Sequence, residues 1–430
     1  MLRVTDPFRR AQLATAALFS SLGFQYATWA SRVPAIKAHL GLSTAEVGLL
    51  LMATGVGAAA SFPLVAWLMR RLGPQRLALL SALGLALLLF ALAAAPDYPV
   101  ALVVMLADGV LVGGLNVSMN AQGAALEVRY KRNAMARLHA TFSAGSLGAA
   151  LLASGMNAVT SSVTAHFAVA AALLLLLLAV ARPGLADEGT AAAAEQAAAA
   201  EQASADAGQP AAPGTAAKKR GRWTLPTRMT LWMCCAMAFG TVTEGAMNDW
   251  SALYLKDVAR ASAELAPMGI AVVSCMMVLA RLFADGWRSR WGDGLVVRAG
   301  SALAGVGLAL ALLSGGVVPA LIGFACVGIG IAAVTPCVYV AAAAQGSDAL
   351  TLVAAMGTTG LLGGPPVIGF IANSTSLVWG LGAVAVCALV VTLCATRIRW
   401  PRPARGTGDG AAADGAGPRR SELVTGPAES

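Results

Sequence analysis

Apolar residues in this chain of 430 fall in long runs, such as Leu77–Ala95 and Phe167–Val180, separated by charged residues and by Gly/Pro punctuation. Runs of this kind approach the ~20 residues that an α-helix needs to cross a bilayer. The pattern predicts twelve helical spans. Six lie near 11–31, 45–69, 76–95, 99–124, 135–158 and 163–181. Six more lie near 228–252, 264–284, 295–314, 317–342, 350–373 and 376–396. The first span ends in Phe24-Gln25-Tyr26-Ala27-Thr28-Trp29, which has no small-x-small cleavage site, so it is expected to stay as a helix. Between spans six and seven the pattern breaks. Residues 183–225 turn to Ala, Glu, Gln, Gly and Pro and end in Lys218-Lys219-Arg220, which reads as a mobile linker. Residues 399–430 read likewise as a disordered tail.

Composition narrows the class. The chain is 58% hydrophobic and only 12% charged, with a mean hydropathy of +0.72. A soluble domain carries roughly 25% charged residues to clothe its surface. The expected class is an all-α polytopic membrane protein, embedded in the lipid bilayer.

The net charge of +9 is informative through its placement. If the N-terminus is cytoplasmic, the loops alternate in charge, and only Arg32, Lys37, Lys256 and Arg260 of the thirty Lys and Arg fall outside. Such a bias predicts both termini in the cytoplasm. No basic stripe with interleaved aromatics is present, so no nucleic-acid partner is expected. The seven cysteines form neither a CxxC nor a Cys/His spacing, and neither a metal nor a cofactor is expected. No GxxxxGK[ST], HExxH or GxSxG motif is present, which argues against an ATPase or a hydrolase and for a gradient-driven process.

The two sets of six spans repeat. Trp29 matches Trp250, Gly73 matches Gly292, and Pro99 matches Pro319. Ala121-Gln122-Gly123 matches Ala344-Gln345-Gly346, and Gly145-Ser146-Leu147-Gly148 matches Gly360-Leu361-Leu362-Gly363. Every pair lies between 215 and 223 positions apart, as expected for two six-helix pseudo-repeats. The predicted units are residues 1–182 and 226–398.

This layout resembles the major facilitator superfamily over residues 8–398. Ala280-Arg281-Leu282-Phe283-Ala284-Asp285-Gly286-Trp287-Arg288-Ser289-Arg290-Trp291-Gly292 is similar to the superfamily's loop motif. The resemblance implies that Arg281, Asp285, Arg288 and Arg290 make cytoplasmic gate contacts. The first-half copy keeps Arg70, Arg71 and Gly73 but lacks the acid. The Gly145–Gly148 and Gly360–Gly363 stretches resemble the Gly-rich fifth-helix motif, where glycines allow close packing and bending. More narrowly, Ala27–Lys37, Ser118–Gly123 and Glu244–Ser251 resemble the fucose-permease-like branch of bacterial inner-membrane members. That branch's sugar transporter uses an acid on helix one, and this helix has none. The resemblance also implies a central cavity lined by helices one, four, seven and ten, and function as a monomer.

Polar residues inside the spans need a reason, since a charge at the bilayer centre costs ~2.5–3.5 kcal/mol on insertion scales. Helical spacing aligns Ser21, Gln25, Thr28 and Arg32 on span one, and Thr241, Glu244, Asn248 and Ser251 on span seven. Span four carries Asp108 with Gln122, and Asn116 with Asn120 and Glu127. Glu244 and Asp108 are the candidate proton-coupling carboxylates; the alternative is a structural carboxylate, paired or hydrogen-bonded. Gln25, Thr28, Arg32, Asn116, Asn120, Gln122, Asn248 and Asp249 are candidates for the substrate cavity, with interhelical bonding as the alternative. Arg32 and Asp249 are also placed to pair across the halves. Trp29 and Trp250 fit either a ring-stacking role or an interface belt. His39, His139 and His166 read as isolated residues near helix ends.

The expected activity is secondary transport of a small polar solute by alternating access, with proton-coupled import ahead of proton-driven efflux of drugs or metabolites. A non-transporting sensor or scaffold is the alternative from another class.

Overall fold

The computed structural model describes residues 6–132, 134–185 and 226–400, without the side chains of Ala136, Asp285 and Ser347. Residues 186–225 of the predicted linker and 401–430 of the predicted tail lie outside this set.

Every regular element among the described residues is helical. In the first half these are α1 (Pro7–Ala30), α2 (Val33–Leu40), α3 (Thr44–Ala60), α4 (Phe62–Ala93), α5 (Tyr98–Tyr130), α6 (Met135–Val159) and α7 (Val163–Ala181). A short turn over Arg182–Gly184 closes this half. The second half holds α8 (Arg228–Asp257), α9 (Met268–Trp291), α10 (Asp293–Ser314), α11 (Val317–Ile331), α12 (Val334–Ala343), α13 (Ser347–Ser374) and α14 (Leu377–Arg397). Eight helical stretches are long and apolar enough to cross a membrane, and Thr44–Ala60 and Met268–Ala284 are shorter apolar helices.

Local chemistry sets where helices begin. Asp97 accepts from the Val100 amide at 3.0 Å, Ser162 from Ala165 at 3.1 Å, and Thr227 from Thr230 at 3.1 Å. Each satisfies an amide that the first helical turn leaves without an intrahelical partner. Ser43 and Glu46 cap α3 reciprocally: the Glu46 amide donates to Ser43 Oγ at 3.2 Å and the Ser43 amide donates to Glu46 Oε2 at 2.8 Å.

The structure departs from the predicted spans at three places. α4 runs through both the second and third spans, bent at Gly73, whose φ of 72° and ψ of 165° are open to glycine. The second span is interrupted at Ser61, and the tenth is split between α11 and α12. Gly292, between α9 and α10, has φ 79° and ψ 152°, so the two repeats turn with the same backbone conformation at matching positions.

Packing repeats as well. A Cβ built on Gly145 would lie 2.2 Å from the Ser20 carbonyl oxygen, and one on Gly360 2.3 Å from that of Ala238. These glycines draw α6 onto α1 and α13 onto α8. The halves meet where α3 packs on α13 and α6 on α9. At the first contact, a Cβ on Gly48 would lie 2.8 Å from the Pro365 carbonyl, and one on Gly369 2.8 Å from that of Thr44.

One buried apolar cluster joins Phe24–Ile36 of the first half with the core of the second, at the end of the bundle that carries Lys37. A second cluster, from Phe8 to Leu185, belongs to the first half alone and lies toward the Gly73 end. Large apolar side chains cover the outside, among them Val103, Leu176, Leu310, Val318 and Trp379. Such a continuous apolar exterior is suited to lipid.

Candidate functional site

The interior polar residues gather in two groups. The first is inside the first half. Gln25 of α1 donates through Nε2 to Asp108 Oδ1 of α5 at 2.7 Å. Both residues are buried, and Gln25 Oε1 and Asp108 Oδ2 have no hydrogen-bond partner among the described residues. Near the Lys37 end, Arg32 Nε donates to His166 Nδ1 at 2.9 Å. Arg32 is buried too, with one terminal nitrogen unpartnered among the described residues. The α1 stripe therefore turns inward: Ser21 and Thr28 donate to the carbonyls of Leu18 and Phe24, at 2.8 Å and 2.7 Å. Burial forces these hydroxyls to find acceptors within their own helix.

The second group spans the halves. Tyr26 of α1 donates its hydroxyl to Asp249 Oδ1 of α8. Lys37 pairs with Asp257 at 2.6 Å. Ser154 and Asn157, late in α6, donate to the carbonyls of Glu264 and Ala263 at 2.6 Å and 2.8 Å. These four contacts lie toward the Lys37 end. Deeper, Arg281 of α9 donates to Ser143 Oγ of α6 at 2.7 Å and to Glu244 Oε1 of α8 at 3.1 Å.

Several sequence expectations are redrawn by this geometry. Arg32 and Asp249 do not pair, because His166 and Tyr26 occupy them. His166 is a partner of Arg32 rather than an isolated residue. Glu244 is held by a basic residue, Arg281, at 3.1 Å. Trp29 and Trp250 are 2% and 0% exposed, so neither sits in an interface belt; both indole N–H groups are buried without partners among the described residues. Asn248 donates to the Glu244 carbonyl at 3.2 Å, and Asn120 Nδ2 to Asn116 Oδ1 at 3.1 Å. Asn116 is exposed, while Gln122 is buried and lines a separate cleft beside Arg10 and Arg129.

In the loop motif, Arg288 grips Asp293 at 2.8 Å and 3.2 Å, a forked contact that ties α9 to α10. Asp293 was not singled out by the sequence, nor were Tyr26 and Ser143. Tyr26 and Ser143 depend on partners far along the chain, Asp249 and Arg281, which no local spacing encodes, whereas Asp293 meets Arg288 five residues away across the turn at Gly292. Arg71 lies 5.7 Å from the Trp67 ring centroid, and Arg70 and Arg290 are exposed. The Asp285 side chain lies outside the described residues.

Two like halves of long helices, meeting through α3–α13 and α6–α9, agree with what the comparisons return. The Major Facilitator Superfamily model matches residues 13–346. The chain belongs to the Major Facilitator Superfamily. Its relatives in this superfamily include an uncharacterized MFS-type transporter of Yersinia pestis, 31% identical over 92% of this chain and 98% of its own length. An uncharacterized transporter, y4wD, of Sinorhizobium fredii is 30% identical over 91% of this chain and 100% of its own. The membrane protein MosC of Rhizobium meliloti is 28% identical over 90% of this chain and 91% of its own. The fold is shared with a D-xylose-proton symporter at a TM-score of 0.69 and 13% identity, covering 91% of this chain and 97% of that one. It is shared with the nucleoside transporter NupG at 0.64 and 15%, covering 91% and 98%. As a superfamily member, the chain is a multi-pass membrane transporter.

Proposed function

We propose that the chain is a secondary transporter of the bacterial inner membrane that imports a small polar solute together with a proton. The observation that carries this reading is Asp108. It is buried in the first half and, among the described residues, hydrogen-bonded only through Oδ1, by a neutral amide. A buried carboxylate without a cation is a costly state, and binding a proton removes the charge. Oδ2 is the atom on which the proton would sit. Glu244, the other candidate, is neutralised by Arg281 and serves better as a sensor of the contact between halves.

In this reading the chain crosses the membrane twelve times, with α3 and the start of α4 forming one crossing, the rest of α4 the next, and α11 and α12 together a tenth. Both termini lie in the cytoplasm, in keeping with the loop charges. The Lys37 end is then outside, the cross-half contacts there close the outer mouth, and the described conformation faces inward. Asn116, Asn120 and Asn248 supply amides for a hydroxylated solute. Residues 183–225 act as a spacer between two units that rock as a monomer. Membership of the fucose-permease-like branch rests on the three matching stretches, and fucose is not favoured because α1 lacks an acid.

The test is the internal pH of proteoliposomes while sugars, organic acids, amino acids and apolar cations are added outside. Solute-dependent acidification that disappears in Asp108→Asn supports coupled import. Proton movement with apolar cations alone makes the protein an efflux pump. Acidification unchanged in Asp108→Asn sinks Asp108 as the coupling group.

A further inference from the structure

At the Gly73 end of the first half, α1, α5 and residues 183–185 enclose a cleft of about 220 Å³. It is lined by Arg10, Thr15, Gln122, Arg129, Tyr130 and Gly184, among others. A single water needs only ~10–15 Å³ on this measure, so the cleft has room for a small polar group with its hydration. It lies within one half, away from Asn116 and the contacts between halves.

Its chemistry is one-sided. Thr15 and Gln122, each 2% exposed, form a buried polar floor. Arg10 and Arg129 are exposed at its rim, and Tyr130 lines it too. Arg10 donates one terminal nitrogen to the Pro183 carbonyl at 3.2 Å, and Arg129 leans over the Tyr130 ring, 5.4 Å from its centroid. Among the described residues neither guanidinium has a carboxylate partner. The acids nearby are engaged elsewhere. Asp6 accepts from the Phe8 amide at 3.0 Å and lies 3.7 Å from Arg132. Glu127 accepts the amides of Ala134 and Met135 at 2.5 Å and 2.8 Å. Arg9, Lys131 and Arg132 are near Arg10 and Arg129 in sequence, Arg132 being the partner of Asp6.

We propose that this cleft binds a phosphate group. Arginine presents a planar fork of N–H donors that matches phosphate oxygens, so Arg10 and Arg129 carry the recognition; the Thr15 hydroxyl donates to the Ala11 carbonyl at 3.0 Å, and Thr15 and Gln122 serve as the polar floor. A basic pocket at a helix end bordering the membrane can receive that phosphate from an anionic lipid headgroup or from a soluble phosphate. The site is independent of which solute is carried.

Two arms tell the sources apart, both on the full chain in neutral detergent. One titrates inorganic phosphate and follows the unfolding temperature. The other reconstitutes the protein in phosphatidylglycerol vesicles, extracts it, and measures retained lipid by native mass spectrometry. Saturable stabilisation by inorganic phosphate without retained lipid assigns a soluble ligand; retained phosphatidylglycerol assigns the headgroup. In either case Arg10→Gln/Arg129→Gln should weaken binding at least tenfold, while Arg228→Gln binds as the parent does. If the double variant is not monodisperse, each single variant should weaken binding about threefold. No binding in both arms, or equal binding by the arginine variants, overturns the proposal.

Discussion

Gln25 Nε2 lies 2.7 Å from Asp108 Oδ1, and this bond joins α1 to α5 at a depth where no cation reaches the carboxylate among the described residues. The pair sits inside one half, so rocking of the halves need not break it. What changes on moving is access to Asp108 Oδ2. Asp108→Asn keeps the shape and one acceptor but cannot exchange a proton. It should abolish solute accumulation against a gradient while leaving solute counterflow. Loss of both, with normal membrane insertion, would instead make Asp108 a solute ligand.

Glu244→Gln should behave differently. Its partner Arg281 also bonds Ser143 in the other half, so the triad reads the distance between halves. Breaking one member of a buried pair leaves the other charge uncompensated and is strongly destabilising. With side-chain exposures of 27% and 22%, this pair is only partly buried, and the cost should be smaller. Solute-dependent proton movement should survive in Glu244→Gln at a reduced rate, and Glu244→Gln/Arg281→Gln should recover part of it. A Glu244→Gln variant that keeps solute counterflow but neither accumulates solute nor moves protons would transfer the coupling role from Asp108 to Glu244.

These two carboxylates show what the sequence could and could not reveal. Composition and run length made the membrane class and helical architecture plain, because lipid imposes both. The turn at Gly73 and Gly292 was legible too, since its backbone conformation needs glycine in both repeats. That a cation holds Glu244 was not decidable, because Arg281 is 37 residues from Glu244 and only the packed α8–α9 pair brings them together. Trp29 and Trp250 misled for a related reason. A tryptophan near a helix end is an interface residue only if that end is uncovered, and here the halves close over both.

Tyr26 and Asp249 form a hydrogen bond between the halves at the end proposed to be outside. Hydrogen bonds to charged groups contribute about 1.5–3 kcal/mol, and a factor of ten in a population is about 1.4 kcal/mol. Tyr26→Phe removes only the hydroxyl. It should shift the balance toward the outward-open form by about ten- to a hundredfold, less if the Lys37–Asp257 pair holds alone. Amide hydrogen exchange over residues 31–43 and 257–264 should quicken accordingly. Unchanged exchange would mean that the α3–α13 packing closes this mouth by itself.

The glycine motifs offer a sharper test, because their members are not equivalent. A Cβ on Gly145 or Gly360 would strike the carbonyl oxygen of Ser20 or Ala238 at 2.2 Å or 2.3 Å, and backbone cannot step aside as a flexible side chain can. On Gly148 the nearest atom would be 3.9 Å away, in the Phe24 ring, and on Gly363 nothing lies within 4 Å. Overpacking a tight contact costs about 1–3 kcal/mol, whereas a helical Gly→Ala change in open space gains roughly 0.5–1 kcal/mol of helix preference. Gly145→Ala and Gly360→Ala should therefore lower the unfolding temperature in detergent, while Gly148→Ala and Gly363→Ala hold or raise it. If rocking needs the second glycine to bend, Gly363→Ala will stay folded yet transport slowly. Equal destabilisation by all four would mean that the motif is read as a flexible unit, not as one close contact per repeat.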